Sequence, residues 1–208
     1  MADNSKKALW AAAPFAFIIV LAAVLFFWGK GVYNTLVVQD EKVKSAWSQV
    51  ENQYHRRLQL IPNLVETVRG YAAHERESLE AVINARANAG KTVIDPQLLD
   101  QLSLQQFQSA QRELGSSLSR LMVVMEQYPE LKANENFTML QAQLESTENR
   151  IAVERKRFND IAQEYNTSLR SFPTNMLAGL LGFKPRPYFA AESGAERAPS
   201  VKFTGSGK

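Results

Sequence analysis

The sequence predicts an all-α protein: an N-terminal transmembrane helix followed by an antiparallel bundle of long helices, either three with the first kinked at Pro62, or four. Three observations predict it. Residues 8–29, "ALWAAAPFAFIIVLAAVLFFWG", are apolar without a charged interruption. From there to residue 172, apolar or small residues recur every three or four positions, the stripe of an amphipathic helix, and strand-like alternation is hard to find. Glycine is absent from residues 32–69, so nothing there invites a turn by backbone freedom.

The apolar run comes first. At 1.5 Å per residue it spans roughly 33 Å, enough for a hydrocarbon core of about 30 Å. Trp10 and Trp28 stand near its two ends, where amphipathic rings prefer the headgroup level. A cleaved signal peptide needs a shorter apolar core and a small-residue exit, and "FFWGKG" is a poor one. A retained single span is therefore expected, with residues 1–7 as a short tail. Lys6 and Lys7 on one flank nearly balance Lys30, Lys42 and Lys44 on the other. The nearest flank leans toward a cytoplasmic N-terminus with the bundle outside.

The bundle is read as residues 31–172. Its first stripe is Val43, Trp47, Val50, Tyr54, Leu58, Ile61, Val65, Val68, Ala72, Leu79 and Val82. Pro62 lies inside it, removing one helical hydrogen bond and crowding the carbonyl of Leu58. Because the stripe keeps its phase through the proline, one kinked helix over residues 31–89 is expected. Two helices meeting at "LIPNL" are the alternative, and only that arrangement returns the chain end toward the membrane. Gly90 fits a helix C-cap, and Asp95 with Pro96 fits the cap and first position of a second helix over 97–128. That helix carries Leu99, Phe107, Ala110, Leu114, Leu118, Leu121, Met125 and Tyr128, and Pro129 ends it. A third starts at Asn134, carries Phe137, Leu140, Leu144, Ile151, Phe158, Ile161, Tyr165, Leu169 and Phe172, and closes at Pro173. Short connections favour sequential antiparallel packing.

Composition excludes several chemistries. With no cysteine there is no disulfide, thiol nucleophile or thiolate metal site. Two histidines cannot build a multi-imidazole site, and neither has a glutamate three residues before it, as a two-iron bundle requires. "GLLGF" lacks the lysine and hydroxyl of a phosphate loop. The net charge of +3 is scattered among acids, which argues against a nucleic-acid binder. No catalytic, metal or cofactor residue is assigned. An enzyme with a site between helices, built on His55 or His74 with carboxylates, remains the competing reading.

The residues set apart are Met176, Leu177, Leu180, Leu181 and Phe183, in an apolar segment over 173–189. They can pack back on the bundle, lie at a bilayer surface, or bind a partner. Residues 190–208 are small and polar and read as a disordered tail.

"YNTLVVQDEKVKSAWSQVENQYHRRLQLIPNLVETVRGYAAHE" at 33–75 resembles the first signature of the LemA family, and "EQYPELKANENFTMLQAQLESTENRIAVERKRFNDIAQEYNTSLRSFPTNMLAGLLGFKPRPYF" at 126–189 resembles the second. Gln59 departs from the pattern, standing where an aspartate is common. The resemblance implies a single-pass protein of the bacterial inner membrane with a long antiparallel helical domain, serving as a scaffold or adaptor rather than an enzyme. Some members accompany membrane metalloproteases, so it implies a membrane-protein partner and a link to quality control. Heptad-like spacing leaves room for homo-oligomers. Tyr33, Asn34, Trp47, Pro62, Asn63, Tyr71, Tyr128, Pro129, Phe158, Asn159, Tyr165, Asn166, Phe172, Pro173, Gly182 and Phe183 fall on its motifs, as structural or interaction positions.

Overall fold

The computed structural model describes residues 2–190, with side chains from Phe15 onward. Trp10, and all of the tail read over 190–208 except Ala190, lie outside these described side chains. The described residues form six helices: α1 (Ala2–Tyr71), α2 (Arg76–Lys91), α3 (Gln101–Met125), α4 (Pro129–Lys132), α5 (Glu135–Arg170) and α6 (Thr174–Ala178).

The expected continuity through Pro62 holds, but the first helix does not reach residue 89. It ends at Tyr71, and residues 72–75 reverse the chain. Helix α2 then runs back along α1, so that Arg86 and Gly90 both reach Leu58. The reversal replaces the proline as the turn of a four-helix arrangement. The carbonyl of Leu58, which Pro62 cannot serve, accepts instead from Nε of Arg86 at 2.9 Å. Tertiary structure thus repairs the hydrogen bond whose loss would otherwise end the helix.

Two other boundaries differ from expectation. Gly90 is helical and not a cap, since α2 continues to Lys91. Asp95 caps only a turn, donated to by the Gln97 amide at 2.8 Å. The cap of α3 is Asp100, which accepts from the Ser103 amide while the Asp100 amide donates to Ser103 Oγ, a reciprocal capping box. Pro129 begins the short α4 as well as following α3. Asn134 caps α5 as expected, accepting from the Phe137 amide.

Helix α5 packs antiparallel along α1, more extensively than any other pair. The core falls into two parts. The part away from the apolar run is a four-helix core of Ile61, Leu64, Val68, Val82, Leu114, Leu121, Met125 and Phe137. The part nearer the run lacks α2. There Ile94 and Leu99 of the α2–α3 connection, with Ala178 and Phe189 of the C-terminal segment, complete the packing around Val43, Trp47, Phe107 and Phe158. Between the two parts, buried Arg57 donates to Gln111 Oε1 and to Glu148 at 2.8 Å. Phe172, expected in the core stripe, is 80% exposed, because α5 ends at Arg170 before its ring could face α1.

Candidate functional site

The C-terminal segment has two halves with opposite roles. The first, α6 and the turn after it, lies beside the end of the apolar run. Leu177 Cδ1 sits 3.8 Å from where a Cβ on Gly29 would stand, an ordinary contact distance that places α6 against the end of the apolar run. The rings of Tyr33 and Phe183 meet at 5.7 Å. At Gly182 the backbone takes φ +80°, which L side chains rarely adopt, and the Phe183 amide donates to Ala178. This closes α6 and turns Phe183 inward.

The second half, residues 184–190, is an extended strap running antiparallel to α5. Asn166 accepts from the Arg186 amide at 2.8 Å and donates to the Arg186 carbonyl at 2.8 Å. Asn159 does the same for Phe189, at 2.9 and 3.1 Å. The spacing fits: two helical turns between the asparagines rise about 10.5 Å, and three extended residues cover about 10 Å. Each asparagine stands in for a neighbouring strand, satisfying an amide and a carbonyl that the strap would otherwise bury unpaired. The Arg186 side chain reaches Asp40 of α1 at 2.7 Å and the carbonyls of Pro96 and Gln97. Phe189 stacks on Trp47 at 6.0 Å and meets Phe158 edge-on at 5.5 Å. Arg155 lies over the outer face of the Phe189 ring at 4.9 Å.

Of the five residues set apart in the sequence, Leu177 and Phe183 are half-buried against the protein, while Met176, Leu180 and Leu181 are exposed. Sequence reasoning missed the exposure of Phe172 and the inward role of Phe189. It also missed Asp40 and Arg186 as partners; their opposite charges were visible, but their separation of 146 residues was not bridgeable by spacing.

Elsewhere, His55 and His74 are both exposed. Among the described residues no cluster of three His, Cys, Asp or Glu could hold a metal ion. An open groove of about 450 Å³ between α1 and α5 is lined by Gln53, Glu145, Asn149, Arg150 and Glu154. A further cleft lies between Trp28, Val32 and Leu36 of α1 and Ser168, Ser171 and Thr174 near the α5–α6 turn.

These features define a helical bundle carried on one helix that is long and apolar enough to cross a membrane. Residues 46–203 match the LemA family, and the chain belongs to it. It is 31% identical over 174 residues to magnetosome protein MamQ 2 of Paramagnetospirillum magneticum, across 76% of this chain and 64% of that one. To magnetosome protein MamQ of Magnetospirillum gryphiswaldense it is 29% identical, with the same coverage. To Protein LemA of Metamycoplasma hominis it is 24% identical over 162 residues, 78% of this chain and 70% of that one. The chain thus spans under two thirds of the length of the magnetosome relatives. It is a membrane-associated helical protein of the LemA family.

Proposed function

We propose that this protein is a membrane-anchored scaffold or adaptor that holds its bundle against membrane-protein partners, a membrane protease among them, in the upkeep of other membrane proteins. The observation that carries this is the continuity of α1. One helix leaves the apolar run and becomes the central wall of the bundle, with no break before Tyr71. A hinge would let the bundle swing relative to the span; a shared helix joins span and bundle without a break and sets the height of the bundle over the bilayer, as an adaptor requires. The strap reinforces this, since Arg186 ties α1 to the α2–α3 connection and, through its backbone, to Asn166 of α5.

The enzyme reading gains nothing from the arrangement. His55 lies on α1 and His74 in the α1–α2 turn, with about 24 Å of helix rise between residues 55 and 71, and both face outward. The bundle's most buried ionic group, Arg57, is engaged with Gln111 and Glu148 as interior pairing.

The test is site-specific photocrosslinking in native membranes from exposed positions Val93, Leu98 and Met139. A discrete adduct with a membrane protein is expected from at least one face. Absence of adducts from all three, together with turnover of a substrate by the purified chain, would replace the adaptor with an enzyme.

A further inference from the structure

The bundle end nearest the apolar run carries large apolar side chains that none of the described residues covers. Phe172, Met176 and Leu180 are 80%, 66% and 85% exposed, and Leu181 is 40% exposed. They cluster around α6, whose Leu177 reaches Gly29 and whose following turn brings Phe183 to Tyr33. The patch therefore sits within a turn or so of the point where the apolar run ends. Side chains at that level of a spanning helix meet headgroups and the outer acyl chains.

Charge points the same way. Between Glu164 and Glu192 there is no acidic residue, while Arg170, Lys184 and Arg186 are present. Arg186 is engaged with Asp40, whereas Arg170 and Lys184 are exposed beside the patch. Lys30 adds an exposed base at the same level of α1. Apolar residues flanked by bases are the composition of a segment that lies in an anionic interface.

We propose that this end is a second membrane contact, in which Phe172, Met176, Leu180 and Leu181 insert into the interface of an anionic leaflet beside the emerging α1. This rests on the reading of α1 as a membrane anchor. Four side chains on their own would bind lipid weakly. Tethered next to the span, they meet the bilayer at high effective concentration, so a weak intrinsic affinity is enough for the contact to form. Its effect is to fix the tilt and rotation of the bundle, which one span alone leaves free. A second copy or a protein partner would also cover the patch, but neither is placed there by the geometry, whereas lipid is present at that level as soon as α1 spans.

The chain contains no cysteine, so single cysteines can be introduced and labelled in the full-length protein. Leu180→Cys and Met176→Cys report on the patch, Val20→Cys on the span, and Val123→Cys on the exposed surface at the opposite end of the bundle. Each carries an environment-sensitive fluorophore in vesicles of phosphatidylcholine and phosphatidylglycerol. Quenching by nitroxide lipids several-fold stronger at residues 176 and 180 than at 123, with iodide giving the reverse order, is the expected result. Iodide quenching at 180 equal to that at 123, with Val20→Cys still quenched by lipid, overturns the second contact and leaves the anchor standing. Iodide access at residue 20 overturns both. A pyrene label at 180 that gives excimer emission undiminished on dilution with lipid identifies a second copy as the occupant and also overturns the proposal.

Discussion

Arg86 donates its Nε hydrogen to the main-chain carbonyl of Leu58 across 2.9 Å, and Leu58 is the residue that Pro62 leaves without a helical donor. The contact joins α2 to α1 at the place where Pro62 interrupts the α1 hydrogen-bond ladder. It explains how a helix of 70 residues passes an interior proline without ending. It also makes α2 a condition of that passage, since the donor arrives only after the chain has reversed at residues 72–75.

Replacing Arg86 by Met should therefore cost about 1–2 kcal/mol, the penalty of leaving a partly buried acceptor unpaired. In a Pro62→Ala background the restored amide takes the Leu58 carbonyl, and Arg86→Met should cost distinctly less. A double-mutant cycle by urea unfolding of the full chain in detergent micelles measures this coupling. Equal costs in both backgrounds would show that Arg86 acts through packing of its stem.

This pair also marks what the residue pattern could convey. The stripe from Val43 to Val82 identified residues that are buried, Leu58 being the partly covered exception. It could not reveal that direction reverses after Tyr71, because Ala72, Leu79 and Val82 face inward whether the helix continues or folds back. A stripe records which side is dry, not which way the chain runs. The cap at Asp95 failed for a related reason: Asp-Pro suits a turn as well as a helix start, and the box formed by Asp100 and Ser103 lay five residues on. At the candidate site, apolar character was legible but orientation was not. A helix of five residues has too few turns to define a face, so the division between inward Phe183 and outward Leu180 depends on the turn at Gly182.

The strap makes a sharper demand on stability than its position near the chain end suggests. Phe189→Ala removes a ring packed between Trp47 and Phe158 and should cost about 3–5 kcal/mol. Asn159→Ala and Asn166→Ala each strand an amide and a carbonyl of the strap, at about 1–3 kcal/mol. Thermal unfolding followed by circular dichroism reads all three. Loss of helical structure at an unchanged midpoint in Phe189→Ala would mean that the strap is dispensable, and that Trp47 is held by Phe107 and Phe158 alone.

Arg57 sits between the two parts of the core at 5% exposure, over the Tyr54 ring, with Gln111 and Glu148 as partners. Truncating it to Ala strands the buried Gln111 amide and opens a void, for an expected loss of about 2–5 kcal/mol. Arg57→Met combined with Gln111→Leu removes both polar groups and should recover most of it. If the double variant is no better than Arg57→Ala, the pairing supplies stability that apolar packing cannot replace. Denaturant midpoints in micelles distinguish the two outcomes.

Alkaline pH tests the core nearer the apolar run. Burial, with the negative charge of Asp40 adding to it, pushes the Tyr165 phenol from its ordinary 10.0 up to about 12. Between those values the unfolded chain releases this proton and the folded chain keeps it. The unfolded state then binds fewer protons, so stability falls as pH rises through that window and is unaffected by Tyr165 below it. Burial raises Tyr54 as well, adding in the same direction. Unfolding midpoints measured from neutral to strongly alkaline pH should decline from about pH 10 upward, and Tyr165→Phe should flatten the decline. Phenolate absorbance supplies the direct check. If the tyrosines of the folded protein all titrate together near 10.0, Tyr165 is solvated, and its packing against α1 is looser than its 1% exposure requires.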